Sequence, residues 1–182
     1  MALDCKINRG YQIGCKAVGG ISEVYIGNWL PVTLTKDSTN DSIVTAVTAK
    51  DTLITEIDIY RVEQKAEMSG TEGSGVHNTD NDTVHVSDVL SITASVLDAD
   101  TLAFLKMLRR SNSFAIVRSN LGTLYLLGAE IPGQAIESTQ SLGRAFEDRN
   151  GGTVNIEYKS VDGMYILDED ALGTDFNIVE PA

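Results

Sequence analysis

The segment DADTLAFLKMLRR, from Asp98 to Arg110, is the one part of the chain that the sequence predicts as a helix. Asp98 is placed to cap its first turn, and two arginines end it, so the charges match the helix dipole at both ends. The apolar residues fall on one stripe, as a helix packed on a sheet requires. That stripe consists of Leu102, Leu105 and Leu108, widened by Phe104 and Met107. Because this is the one predicted helix and the rest of the chain reads as strands, the sequence predicts a mainly β fold.

Alternating polar and apolar residues predict strands on both sides of this helix. The predicted strands are Ile21–Ile26, Val32–Lys36, Leu53–Val62, Val84–Val96, Phe114–Arg118, Thr123–Leu127 and Val154–Tyr158, with a weaker signal over Ala135–Gln140. Ser119 to Gly122 predicts a tight turn, and Asp148 to Gly152, DRNGG, is the strongest hairpin signal because Asn-Gly and Gly-Gly tolerate positive φ. We expect an antiparallel β-sandwich or partly closed barrel, with the helix covering one open side.

Residues 63–83 form the most unusual stretch, about twenty residues without apolar periodicity, where hairpin connections usually take about two to five. Three interpretations stay open: a surface linker, the tip of an extended hairpin, or an arm that orders only against a neighbouring subunit. For the arm, the candidate interface residues are Glu67, Ser69, Gly70, Thr71, Gly73, Gly75, His77, Asn78 and Asp80. A calcium loop is excluded, since Thr83 and Val89 stand where such a loop needs Gly and Glu.

Composition indicates a soluble globular chain of 182 residues with an acidic balance. We divide it into one β-rich domain, residues 1–160, and an acidic C-terminal extension, residues 161–182. Such an acidic run is by default a solvated tail, but Tyr165–Leu167 and Phe176–Val179 are apolar and suggest that part of it docks. The formal charge of −12 argues against a surface that grips nucleic acid by neutralising phosphates.

Motifs for catalysis, metal binding and export are missing from the sequence. No serine-nucleophile elbow, phosphate loop or dinucleotide fingerprint occurs, so we do not expect an enzyme, with a base at His77 or His85 as the alternative. Cys5 and Cys15 are interpreted as reduced thiols, a disulfide being the alternative, and with the histidines they match no zinc pattern. We therefore expect no cofactor. The N-terminus lacks an apolar signal region, which predicts neither secretion nor a membrane span.

Two stretches carry a resemblance to known proteins. The opening CKINRGYQIGCKAVGGISEVYIGNW resembles the start of small virion proteins from tailed phages of Bacteroidetes-type hosts. The order of strands, long loop, strand, helix and hairpin, followed by Phe146-Glu147-Asp148-Arg149-Asn150-Gly151 and then Gly152 and TVNIEY, resembles the phage tail tube protein family. The similarity covers most of the chain as a pattern of elements, with recognisable residues at its two ends. The acidic C-terminal extension departs from the compact ending typical of that family.

The resemblance implies a structural virion protein, made in the host cytoplasm and located in the tail. Its subunits would bind one another in rings, usually hexameric, that stack into the tube for genome delivery. Other tail proteins would be its partners, DNA would pass without being bound, and no membrane would be involved. The alternatives are a neck, tail completion or head decoration protein, the tube of a contractile injection apparatus, a pilus-like subunit or an enzyme.

Overall fold

A computed structural model of the protein describes residues 19–63, 69–78, 83–143 and 150–181. These residues form twelve strands and two helices. The strands are β1 (Ile21–Asn28), β2 (Val32–Lys36), β3 (Ile43–Ala49), β4 (Ile57–Val62), β5 (Gly70–Asn78), β6 (Thr83–Ala94), β7 (Ser113–Ser119), β8 (Leu124–Leu127), β9 (Gln134–Ser141), β10 (Gly151–Ser160), β11 (Tyr165–Leu167) and β12 (Phe176–Val179). The helices are α1 (Ala99–Arg110) and α2 (Glu169–Thr174). The predicted mainly β fold with a helix near residues 98–110 is confirmed, whereas α2 was not predicted.

The strands form two sheets, consistent with the expected sandwich or partly closed barrel. The larger sheet has eight strands in the order β12-β4-β1-β7-β8-β11-β3-β2 and curls into a half barrel, and the smaller has four in the order β5-β6-β10-β9. Most neighbours are antiparallel, but β11 pairs with β3, and β12 with β4, in parallel. Both parallel pairs come from the C-terminal acidic stretch, which thus contributes two strands to the larger sheet.

Strands β1 and β7 lie at the centre of the larger sheet and are covered on both faces. Val24 and Val117 belong to the core shared with the smaller sheet, whereas Tyr25 and Ile116 belong to the core inside the curl. All four side chains are buried. A strand that is covered on both faces needs a continuous apolar run instead of alternating residues. The sequence FAIV in β7 is such a run.

Helix α1 packs on β9 and β10, so the prediction that it lies on a sheet is confirmed. Its cap is also as expected, because the Asp98 carboxylate accepts a hydrogen bond from the Thr101 amide at 2.7 Å. Leu105 and Leu108 are buried and Leu102 is half-buried. Met107 is 62% exposed, so its assignment to the packing stripe was wrong. It lies about 200° around the helix from Leu105 and therefore faces outward.

Leu105 packs directly on the backbone of β10. A Cβ atom built on Gly152 would lie 2.7 Å from Cδ1 of Leu105, so a side chain at this position would displace the leucine. The predicted hairpin is confirmed, because the consecutive strands β9 and β10 pair in antiparallel register from Ser141 opposite Gly151. Gly151 and Gly152 were wrongly placed in its turn, because both belong to β10 and neither has a positive φ. Asp148 and the rest of residues 144–149 lie outside the described residues. By contrast, the turn at Ser119 to Gly122 is confirmed, with Gly122 at φ +87°.

The C-terminal stretch closes the curl of the larger sheet. The Asp175 carboxylate accepts a hydrogen bond from the Val47 amide of β3 at 2.8 Å, and its carbonyl accepts one from the Ile57 amide of β4 at 3.0 Å. Since β3 and β4 lie near opposite ends of the strand order, Asp175 joins the two sides of the half barrel. Leu172 and Phe176 are buried in the enclosed core.

An ion-pair network fixes α2 to the larger sheet. Arg118 of β7 donates to both carboxylate oxygens of Glu169, at 2.7 and 3.0 Å, and to Glu23 of β1 at 2.8 Å. This two-pronged contact lowers the pKa of Glu169. Arg61 extends the network by pairing with Glu23 at 3.3 Å and with Glu180 at 3.4 Å.

Two further strand predictions need correction. Leu53 was assigned to a strand with Ile57 and Ile59, but it is 88% exposed and lies in a turn where its amide donates to the Asp51 carboxylate. Strand β3 was not predicted at all. Its buried residues Val44 and Val47 are three apart instead of two, because the register with β2 shifts between them. Cys5, Cys15 and Phe146 lie outside the described residues.

Candidate assembly surface

Residues 70–78 of the long loop form a regular strand. β5 pairs with β6 in antiparallel register from Gly70 opposite Ser91 to Asn78 opposite Thr83. The extended-hairpin interpretation is therefore confirmed for these residues. The expectations of a surface linker, or of an arm that orders only against a neighbouring subunit, are wrong for them, because β6 of the same chain already supplies the pairing partner.

The candidate interface residues thus fall on one strand. Ser69 directly precedes β5, and the strand itself contains Gly70, Thr71, Gly73, Gly75, His77 and Asn78. Glu67 and Asp80 lie outside the described residues. Their role as an interface stays a prediction.

The far half of this hairpin is exposed on both faces. Val76 opposes His85, and Val84 opposes His77, so the two valines point to opposite faces of the ribbon. Val76 is 42% and Val84 is 59% exposed. An ordered ribbon that shows apolar side chains on both faces is typical of a surface covered in an assembly.

The smaller sheet has two open edges. Within the described residues β5 pairs only with β6, and β9 pairs only with β10. All three neighbouring pairs of this sheet are antiparallel, so its two outer strands run in opposite directions. Consequently, β9 of a second copy, rotated about an axis parallel to the strands, would meet β5 in antiparallel orientation. The sheet has the polarity needed to continue from one copy to the next.

On the outward face of the smaller sheet, polar side chains of neighbouring strands hydrogen-bond to one another. Ser91 donates to Asn155 at 2.6 Å, and Asn155 donates to Glu137 at 3.1 Å, which links β6, β10 and β9 across the sheet. Thr93 and Thr153 form a parallel link at 3.2 Å. These bonds keep the side chains ordered on the sheet. The face is polar apart from Val89, which lies between Glu72 and Glu157.

This polar face carries an excess of acid. Three glutamates, Glu72, Glu137 and Glu157, share it with Lys159. Ser87 donates to Glu157 at 2.6 Å and thereby lowers the pKa of that carboxyl, as does Lys159 at 3.3 Å. The face is therefore negatively charged at neutral pH, which opposes the approach of a polyanion.

The opposite, inward face holds a residue that the sequence did not single out. Asp88 of β6 is 2% exposed, and its carboxylate lies against Gly73 of β5, in the space a side chain at that position would fill. It has no hydrogen-bond or ion-pair partner within the described residues, and burial raises its pKa. The only sequence signal is a glycine directly opposite an aspartate in the hairpin, which becomes visible once the register is known.

Comparisons with known proteins leave the chain without an assigned relative. No protein-family model matches it, and no curated protein is significantly similar to it in sequence. Among the described residues, no three His, Cys, Asp or Glu side chains are placed to hold a metal ion. None of the helices in the described ranges is long and apolar enough to cross a membrane.

Proposed function

We propose that this protein is a structural virion protein whose copies join through the smaller sheet into rings that stack into a phage tail tube. The observation that carries the proposal is the sheet itself. It combines two open edges of opposite direction with one polar, acidic face. Pairing of β5 with β9 of the next copy would continue the sheet around a hexameric ring, and the resemblance to the tail tube family points to the same assembly.

The polar face would line the channel of such a ring. Its apolar counterpart, with Leu90 and Ile156, already packs in the core, so the polar side is the one left to face a lumen. DNA is a polyanion, and a glutamate-bearing wall that offers one lysine per subunit would not hold its phosphates. Such a surface would let the duplex slide through. The exposed hairpin tip with Val76 and Val84 would then contact a neighbouring subunit.

The edge of β5 provides the test. A Cβ atom at Gly75 meets no atom within 4 Å, so Gly75→Lys leaves the isolated subunit intact but adds a charge on the inward side of the edge strand, where it opposes strand pairing. Gly173→Lys is the matched control, because a Cβ atom at Gly173 in α2 also meets nothing within 4 Å and the charge change is identical.

The measurement is negative-stain electron microscopy of the purified protein over a concentration series. We expect hollow tubes or stacked rings from the unaltered chain and from Gly173→Lys, and dispersed subunits from Gly75→Lys. Tubes of normal frequency from Gly75→Lys would contradict pairing through β5. Single rings that never stack, or monomers at every concentration, would instead favour a neck, completion or decoration protein.

A further inference from the structure

Asp88 is the only acidic side chain that is buried among the described residues. It has no hydrogen-bond or ion-pair partner there, and the atom Oδ1 of its carboxylate lies where a Cβ atom of residue 73 would be. The backbone of β5 at Gly73 therefore covers the carboxylate on one side. A carboxylate that ionises in this position loses its hydration and gains no partner in return. The assembly proposed above makes no use of this group.

The strands on either side of Asp88 bring no charge to it. Tyr158 of β10 lies opposite Asp88 in the register, and burial raises the pKa of Tyr158, so its hydroxyl keeps its proton. On β5, Gly73 has no side chain, and the nearest titratable group on the same face is His77, four residues along the strand and thus about 13 Å away. Neither strand supplies a cation that would hold the ionised carboxylate in place.

The other elements around Asp88 are also without charge at this point. Met164 places its Cε atom 3.7 Å from the Cβ position of residue 73. Asp162, two residues earlier, is engaged elsewhere, because it pairs with Lys36 at 3.8 Å. The residues that the larger sheet contributes to the shared core are apolar, namely Val24, Ile26, Ala115, Val117 and Leu127. Burial is accordingly the one cause that raises the pKa of Asp88.

Strand β5 is the part of this enclosure that can move most easily. Between Gly70 and His77, Thr71 is half-buried and the other residues are exposed, so β5 anchors none of these side chains fully in the core. A Cβ atom at Gly75, on the inward face, meets nothing within 4 Å. Within the described residues β5 pairs with β6 alone. A strand with so few buried contacts opens at a lower free-energy cost than the strands of the core.

We propose that β5 is a pH-controlled flap over Asp88, closed on β6 when the carboxylate is protonated and released more often when it is ionised. Release of β5 uncovers the carboxylate from the side of Gly73, so that water can hydrate the ionised form. Ionisation therefore shifts the local equilibrium towards the open form, by the same factor by which closure disfavours ionisation. Neutral pH favours opening, and acid favours closure. Because this equilibrium exists in the isolated subunit, it can be measured without the proposed assembly.

Hydrogen–deuterium exchange followed by mass spectrometry measures this opening. The full-length protein, kept dilute enough to remain as dispersed subunits, is compared with Asp88→Asn, which has a side chain of nearly the same shape but no charge. At pH 7 we expect the fragment that contains β5 to exchange about fivefold more slowly in Asp88→Asn. The difference should shrink as the pH falls from about 7 towards about 4, because Asp88 of the unaltered chain then binds a proton while the flap is closed. Comparison of the two chains at each pH cancels the intrinsic pH dependence of exchange.

Two controls separate release of β5 from general stabilisation. β9 is the other outer strand of the same sheet and lies two strands away from β6, so its exchange should be the same in both chains. Asp41→Asn removes the same charge from an exposed turn and should leave the exchange of β5 unchanged. Equal exchange of β5 in the unaltered chain and in Asp88→Asn at pH 7 would overturn the proposal. An equal slowing of β5 and β9, or a slowing of β5 that persists at low pH, would overturn it as well.

Discussion

Asp88 has a carboxylate that is buried inside the protein, against the backbone of Gly73. An ionised group that is buried without a partner is disfavoured in the folded state, because it loses its hydration and gains no hydrogen bond in return. Burial raises the pKa of Asp88 because it disfavours the ionised form in the folded state. Since the folded pKa lies above the unfolded one, the cost is present at neutral pH and disappears as the pH falls through the folded pKa towards the unfolded value.

We therefore expect Asp88→Asn to raise the free energy of unfolding at pH 7, by about 1 kcal/mol, the usual size of a single-site effect. The gain should shrink as the pH falls and vanish below about pH 4, where the aspartate of the unaltered chain is protonated in both states. Urea unfolding at a series of pH values measures this difference.

The control for Asp88→Asn is Asp41→Asn, which removes the same charge from an exposed aspartate. Its effect reports only the relief of general repulsion within the acidic chain. If the two variants gave the same pH profile, burial of Asp88 would not be the cause of the effect.

Residues of this kind mark the limit of prediction from the sequence. The helix stripe predicted the burial of Leu105 and Leu108, because helical periodicity is local. Neither the glycine opposite Asp88 nor the bond from Val47 to Asp175 has a local signature, since each joins positions that only the folded topology brings together.

At the scale of elements, the contact between α1 and β10 shows how one element restricts the residue type in another. Leu105 occupies the space above Gly152, and the carbonyl of Thr139 lies 3.1 Å from where a Cβ atom would be. A methyl group at residue 152 must therefore displace the buried Leu105 side chain, shift the helix or distort the pairing of β9 with β10.

We expect Gly152→Ala to lower the free energy of unfolding by about 1 to 3 kcal/mol, as overpacking does. Leu105→Ala alone should cost about 2 to 5 kcal/mol through the cavity it leaves. Because the two changes act on the same space, the double variant should be more stable than the sum of the single effects predicts. Denaturant unfolding of all four chains gives the coupling free energy.

Gly70→Ala is the control for Gly152→Ala, because a Cβ atom at Gly70 meets nothing within 4 Å. Its effect should be small and independent of Leu105. Strictly additive costs for Gly152→Ala and Leu105→Ala would mean that the helix does not press on β10.

Elements with regular periodicity were predictable, and those shaped by their neighbours were not. Helix α1 follows from its helical stripe. Strand β1 was located correctly, but it is not half-buried as its predicted alternation required, because Val24, Tyr25 and Ile26 are all buried. Strand β3 was missed because its register shift breaks the alternation. For β5 the extended hairpin was one of three open interpretations, because its glycines carry no pattern and its partner β6 imposes the extended form. The two C-terminal strands are three and four residues long, too short for any periodic signal.

At the scale of the whole molecule, charge and architecture act against each other. The chain carries a formal charge of −12, which favours separate, soluble copies, while the open edges of the smaller sheet favour association. The mainly β class was predictable from composition and pattern, but the placement of acid on one face of one sheet was not, because it depends on the register of β6, β10 and β9.

This balance predicts how assembly depends on salt. Raising the ionic strength from about 0.01 M to about 0.15 M shortens the range of electrostatic repulsion from about 30 Å to about 8 Å, and so removes much of the repulsion between acidic copies. We expect the concentration needed for ring or tube formation to fall, as measured by sedimentation velocity. Assembly that weakens as salt is added would show that attraction between charges, and not strand pairing against net repulsion, holds the copies together.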